Sequence, residues 1–102
     1  MSQSETKPIT AFSQNDFKTG ILVDVRTPEE FANGHLDGAL NINWLNKDFA
    51  ARFKDIPKDK AIYLYCKKGG RSAGAQAKLS SLGFTNVINL EGGYDSWLGI
   101  KD

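Results

Sequence analysis

Cysteine is almost missing from this sequence: one residue, Cys66, in a chain of 102. A lone thiol excludes an intramolecular disulfide, a resolving thiol within the chain and any metal site built on several thiolates. Histidine is as scarce, with His35 alone. No apolar run approaches the roughly 20 residues that a membrane-spanning helix needs. The first residues, MSQSETKPIT, lack the apolar stretch of a secretory signal, so the expected location is cytoplasmic. A reducing compartment also suits an unpaired thiol. The net charge is only +1, which argues against a general nucleic-acid or membrane-surface role. No repeat, linker or low-complexity segment is visible. No cofactor and no metal are expected, and a monomer is the default state.

What is present has the proportions of an ordinary globular domain, with 40% hydrophobic and 25% charged residues, enough for a single modest core. The stretch from Ala61 to Leu82 organises the rest. An apolar run, Ala61-Ile62-Tyr63-Leu64-Tyr65, ends at Cys66. A cationic turn follows, Lys67-Lys68-Gly69-Gly70-Arg71, and then a small-residue helical pattern from Ser72 to Leu82, closed by Gly83. This pattern predicts a buried strand, a tight loop and a helix whose first turn faces the loop. The loop amides and the positive end of the helix dipole would converge on the sulfur of Cys66 and favour its thiolate. Three cations sit in this loop, and removing them from the chain's +1 leaves −2, so the positive character is local. Local positive charge beside a thiol suggests a small anionic substrate.

Along the chain, residues 1–8 are polar and expected to be disordered, with a single domain over 9–100. Ile9 to Phe12 reads as a short strand. Ser13 to Asp16 offers a cap for a short helix through about Lys18. Ile21 to Val25 is a β-branched run typical of a strand buried on both faces. Thr27-Pro28-Glu29-Glu30 is a helix start with a capping box, stopped by Asn33-Gly34. Gly38 to Ile42 suggests another strand. Asn43 or Asn46 would cap a helix in which Leu45, Phe49 and Phe53 recur at helical spacing. Asn86 to Leu90 reads as the last strand, and Glu91 to Leu98 turns into a final short helix. Strands alternating with helices predict an α/β fold: three layers, with a mostly parallel sheet of about five strands and helices on both faces. Ligands in such sheets bind outside the carboxyl ends of strands, which is where Cys66 falls.

The segment CKKGGRS resembles the active-site loop of rhodanese (thiosulfate sulfurtransferase) domains. Four residues separate Cys66 from Arg71. The phosphatases related to that fold carry a longer loop with room for a phosphate, whereas the short form fits the sulfane sulfur of a persulfide. Three more segments are similar to the family's in the right order: Asp24-Val25-Arg26 with Glu30-Phe31, then Gly34-His35-Leu36-Asp37-Gly38-Ala39-Leu40-Asn41-Ile42, and finally Gly92-Gly93-Tyr94 with Trp97. The resemblance implies a rhodanese-like domain and a two-step sulfur transfer. Cys66 would take the sulfane sulfur of thiosulfate or a related donor as a persulfide, and cyanide or a thiol would remove it. Lys67, Lys68, Gly69, Gly70, Arg71 and Ser72 would surround the substrate through their amides and positive charge. Gly69 and Gly70 are expected to supply backbone angles closed to other residues. Arg71 could clamp loop carbonyls or the donor's anionic group.

Blander readings compete at several positions. A cysteine ending an apolar strand is most often a core residue. His35 reads as structural. Asp24, Arg26 and Glu30 could be an acid–base set, but an ion-pair and capping cluster is the favoured reading. Trp44, Phe49, Phe53 and Trp97 read as core. Competing functions are a persulfide carrier or interaction module serving a partner protein, and a phosphatase or arsenate reductase on the same fold.

Overall fold

The alternation of side chains along Ala61–Tyr65 (β4) decides the layers. In the computed structural model, which describes residues 3–13 and 20–101, Ile62 and Leu64 point to one face of the sheet and Tyr63 and Tyr65 to the other. The other strands are Gln3–Pro8 (β1), Gly20–Asp24 (β2), Leu40–Asn41 (β3) and Asn86–Glu91 (β5). All pair in parallel, in the order β1-β5-β4-β2-β3. The helices are Pro28–Ala32 (α1), Gly70–Ser81 (α2) and Gly93–Lys101 (α3). On the first face Val23, Val25, Ile62, Leu64 and Val87 bury against Ala75 and Leu79 of α2 and against Phe49, Phe53 and Phe84. On the second, Leu22, Tyr65, Ile88 and Leu90 bury against Ile9, Phe12 and Leu36, with Tyr94 and Trp97 of α3 packed beside them. The expected three-layer α/β architecture is present.

Local sequence explains most element ends. Thr27 Oγ1 accepts from the Glu30 amide at 3.3 Å while Glu30 Oε1 accepts from the Thr27 amide at 3.1 Å, the reciprocal capping box expected at α1. Asn33 is the C-cap of α1, where the sequence reading places the stop. At the end of β3 the Asn41 side chain reinforces backbone bonding that runs on through Ile42 and Trp44, donating to the carbonyls of Asp24 and Arg26 at 3.1 and 3.0 Å.

Four expectations are corrected. The polar segment expected to be disordered through Pro8 is, from Gln3 onward, an edge strand paired with β5. Its pairing uses backbone groups, which need no apolar side chains, and Gln76 of α2 stitches the pair by donating to the carbonyls of Glu5 (2.7 Å) and Val87 (3.0 Å). Ile9 to Phe12 is not a strand but a 3-10 turn over Ile9–Ala11, whose three-residue step turns both Ile9 and Phe12 into the core. The strand expected over Gly38–Ile42 shrinks to Leu40–Asn41, because Gly38, at φ 84°, is still in the preceding turn. The helix expected around Leu45, Phe49 and Phe53 is only a 3-10 turn, Ala50–Phe53. Asn43 Oδ1 accepts from the Leu45 amide at 3.1 Å and closes a local turn, leaving Leu45 65% exposed. The short helix expected through Lys18 falls on residues 14–19, outside the described residues. Among the described residues no helix is long and apolar enough to cross a membrane.

Candidate active site

Cys66 follows directly on Tyr65, the last residue of β4, at the carboxyl end of a central strand. The loop turns at Gly69, whose φ of 121° is closed to residues with a side chain, and α2 begins at Gly70. Gly70 departs from the expectation. Its φ is not positive and a Cβ there would meet nothing, so this glycine is not required by the backbone.

The turn brings donors onto the sulfur. The Gly69 amide donates to Cys66 Sγ at 2.9 Å, and the sulfur lies 3.5 Å from Ser72 Oγ in the first turn of α2. Cys66 is 1% exposed and Ser72 fully buried. Burial pushes the Cys66 thiol up, but hydrogen bonding to the Ser72 side chain and to the amides of Ser72, Gly69 and Lys68 outweighs it, so the thiol sits below its ordinary value. The sulfur is thus buried and yet acidified, unlike a thiol packed among apolar side chains alone.

The positive charge of the loop is mostly spoken for. Arg71 forms a two-bond fork with Glu30 of α1, Nη1 to Oε1 at 2.7 Å and Nη2 to Oε2 at 3.0 Å. The bonds of its guanidinium thus run to α1 and not to loop carbonyls. The same fork holds the Glu30 carboxyl at about 2, well below the usual carboxylate range. Lys67 Nζ reaches both carboxylate oxygens of Asp95 on α3 at 3.0 and 3.1 Å. Lys68 is exposed and makes no ion pair among the described residues. The net charge presented by the loop and its two carboxylate partners is thus +1, carried by Lys68.

Two further features escape a sequence reading of the loop alone. The first turn of α3 holds the loop's carbonyls: the Tyr94 amide donates to the Cys66 carbonyl at 2.8 Å and the Asp95 amide to that of Lys67 at 3.0 Å. Gly93, at φ 64°, permits this approach, since a Cβ would lie 2.5 Å from the Cys66 carbonyl oxygen and the Lys67 carbonyl group. With its carbonyls bound from α3, the loop is free to aim its amides at the sulfur. The Gly92-Gly93-Tyr94 segment was the only signal of this support. The second feature is Asn89 of β5, buried beneath Ser72 with Oδ1 accepting from Ser72 Oγ at 2.6 Å; nothing in its neighbours' pattern singles it out.

The remaining candidates are structural. Asp24 and Arg26 pair with each other, Arg26 Nη2 to Asp24 Oδ2 at 2.7 Å, and Arg26 also donates to the Gly34 carbonyl and lies 4.5 Å from the centre of the Tyr94 ring. Glu30 is engaged with Arg71 and Thr27, so these three do not form an acid–base set. His35 is exposed, stacked on Phe31 and bonded through Nδ1 to the Phe31 carbonyl. Phe49 and Phe53 are core, with Trp44 and Trp97 packed at its edge. No group of three or more His, Cys, Asp or Glu among the described residues could hold a metal ion.

A family model for the rhodanese-like domain matches residues 10–99. The chain belongs to the rhodanese-like family. A sulfurtransferase of Allochromatium vinosum is 39% identical over 82 residues, covering 80% of this chain and 75% of its own. Thiosulfate sulfurtransferase GlpE of Shewanella oneidensis is 36% identical, covering 74% of this chain and 73% of its own. Among solved structures, a rhodanese-related protein from Thermoplasma volcanium superposes with a TM-score of 0.80 at 29% identity, covering 94% of this chain and 92% of that one. The rhodanese-like sheet thus belongs to a shared architecture.

Proposed function

We propose that this rhodanese-like chain is a sulfurtransferase working through a persulfide on Cys66. The observation that carries the reading is the amide-bound, acidified sulfur of Cys66, with only four residues between it and Arg71. The Cys66 thiolate attacks the outer sulfur of thiosulfate or a related donor. The S–S bond breaks, and sulfite leaves with its electron pair. Cyanide or a thiol then attacks the outer sulfur of the persulfide and returns Cys66 as thiolate. No general base is needed where the thiol is already ionised, which suits a site with His35 turned away to Phe31.

The amides from Lys67 to Ser72 stabilise the charge on the transferred sulfur, with Gly69 shaping the turn and Gly70 opening α2. Lys68, exposed and without an ion pair among the described residues, attracts the anionic donor. Arg71 contributes indirectly, fixing the loop to α1 through Glu30. The sulfurtransferase names of relatives that match most of the chain support the reaction class. Relatives carry chloroplast and mitochondrial names as well, and any reducing compartment suits this chemistry.

The deciding experiment is an intact mass after incubation with thiosulfate. The parent chain should gain one sulfur, Cys66→Ser none, and cyanide should discharge the gain. No uptake from thiosulfate or from persulfidated thiols, alongside turnover of a phosphate ester or arsenate, would replace sulfur transfer with the competing chemistry.

A further inference from the structure

Asn89 is a buried amide in the middle of a strand whose neighbours Val87, Ile88 and Leu90 are all apolar. Alternation along β5 places it with Val87 on the face covered by α2, directly under Ser72. A polar side chain in such a place costs stability unless it is bonded, and its bond here leads to the nucleophile. Ser72 Oγ lies 2.6 Å from Asn89 Oδ1, 3.1 Å from the Gly69 carbonyl and 3.5 Å from Cys66 Sγ.

A serine hydroxyl has one proton to give and two lone pairs to accept with. In the structure that proton goes to Asn89 or to the Gly69 carbonyl, and the Cys66 thiol donates its own proton to Ser72 Oγ. Ionisation reverses the demand. A thiolate has no proton to donate and seeks one, and the nearest hydroxyl proton is shared between Asn89, the closer acceptor, and the Gly69 carbonyl.

We propose that Asn89 is a positioning residue that competes with the Cys66 thiolate for the Ser72 hydroxyl proton, and so sets the pH at which Cys66 becomes nucleophilic. The inference rests on Cys66 being the nucleophile of the proposed reaction. When the thiolate is free, the hydroxyl turns to the sulfur. Once that sulfur is bonded to a second sulfur it no longer carries the charge, and the hydroxyl returns to Asn89. The Ser72 proton rotates once in each half-reaction without leaving its oxygen.

The charged groups around the loop are Lys67, Lys68 and Arg71 on the loop, Glu30 from α1, Asp95 from α3 and the Asp24–Arg26 pair at the end of β2. None is altered by the variants that test the idea. Cys66 is the only thiol, so the pH dependence of iodoacetamide alkylation reads it directly. Asn89→Leu removes the nearer competing acceptor and leaves only the Gly69 carbonyl at 3.1 Å, so it should lower the alkylation midpoint by up to about one pH unit, the scale of one hydrogen bond to a charged group. Asn89→Asp strengthens the competing acceptor and should raise it. In a Ser72→Ala background the Leu effect should vanish and the Asp effect should shrink to its through-space part. An Asn89→Leu midpoint equal to or above the parent's, or a Leu shift that survives Ser72→Ala, overturns the proposal. Should Asn89→Leu fail to fold, the Asp variants decide it: an upward shift undiminished by Ser72→Ala is charge alone and ends the relay. Sulfur uptake is scored separately by mass. A chain that alkylates as expected yet takes up no sulfur keeps the relay and loses the sulfurtransferase reading.

Discussion

The two flanks of the Cys66 loop are held by different physics. On the β4 side, the carbonyls of Cys66 and Lys67 are bound by backbone amides of α3, packed close enough that only glycine fits at residue 93. On the α2 side, Arg71 is held by a two-bond fork to Glu30 whose side chains remain 27% and 28% exposed. The first restraint has no titrating group and no side-chain entropy to overcome. The second depends on charge, on salt and on two long side chains keeping one geometry. The flank carrying Cys66 is thus held by the less variable means, and the outer flank by the more adjustable one.

Gly93→Ala should break this contrast most severely. A Cβ there collides with loop backbone, and the φ of 64° is itself unfavourable for alanine. A loss of about 3 kcal/mol in denaturant unfolding is expected, with slower alkylation of Cys66. Unchanged stability and reactivity would mean that α3 does not hold the loop.

Glu30→Gln should act on the other flank and cost about 1 kcal/mol near neutral pH. Its pH dependence sharpens the comparison. The Glu30 carboxyl is held at about 2 in the folded chain against an ordinary 4.5, so the folded state favours the charged form. The parent's advantage over Glu30→Gln is therefore complete above about pH 4.5. It fades as pH falls toward about 2. Paired urea titrations across that window should see the two curves converge; a constant gap would assign the stabilisation to something other than charge. Gly93→Ala should show no such convergence relative to the parent.

The smallest effect is expected for Asp95→Asn, which removes the half-exposed Lys67 pair but keeps the Asp95 amide on the Lys67 carbonyl. Stability should change by under about 0.5 kcal/mol. A larger loss, abolished by added salt, would show that side-chain charge matters on the β4 flank too.

What sequence could and could not foresee divides along the same line. Elements announced by side-chain pattern were legible: the apolar runs of β2, β4 and β5, the Thr27–Glu30 capping box and the glycine turn at Gly69. Elements held by backbone bonding alone were not. β1 carries no apolar alternation because a strand paired with β5 and pinned by Gln76 needs none. At the site, Cys66 and its loop stood out because their spacing is local. Glu30 lies 41 residues from Arg71 and Asn89 lies 17 from Ser72, and no local pattern joins partners that far apart. Gly70 misled in the opposite way, being a glycine where the backbone does not demand one.

The strand order has a consequence for how the chain is made. β4 lies between β2 and β5, whose residues come from opposite sides of it in sequence, and the amide that binds the Cys66 carbonyl belongs to Tyr94. A growing chain that has delivered Cys66 still lacks β5, Asn89 and the first turn of α3. Until these contacts of long sequence separation close, the thiol is that of an unfolded peptide. The contacts that acidify the thiol close only once β5 and α3 are made, so a half-made molecule carries an ordinary cysteine.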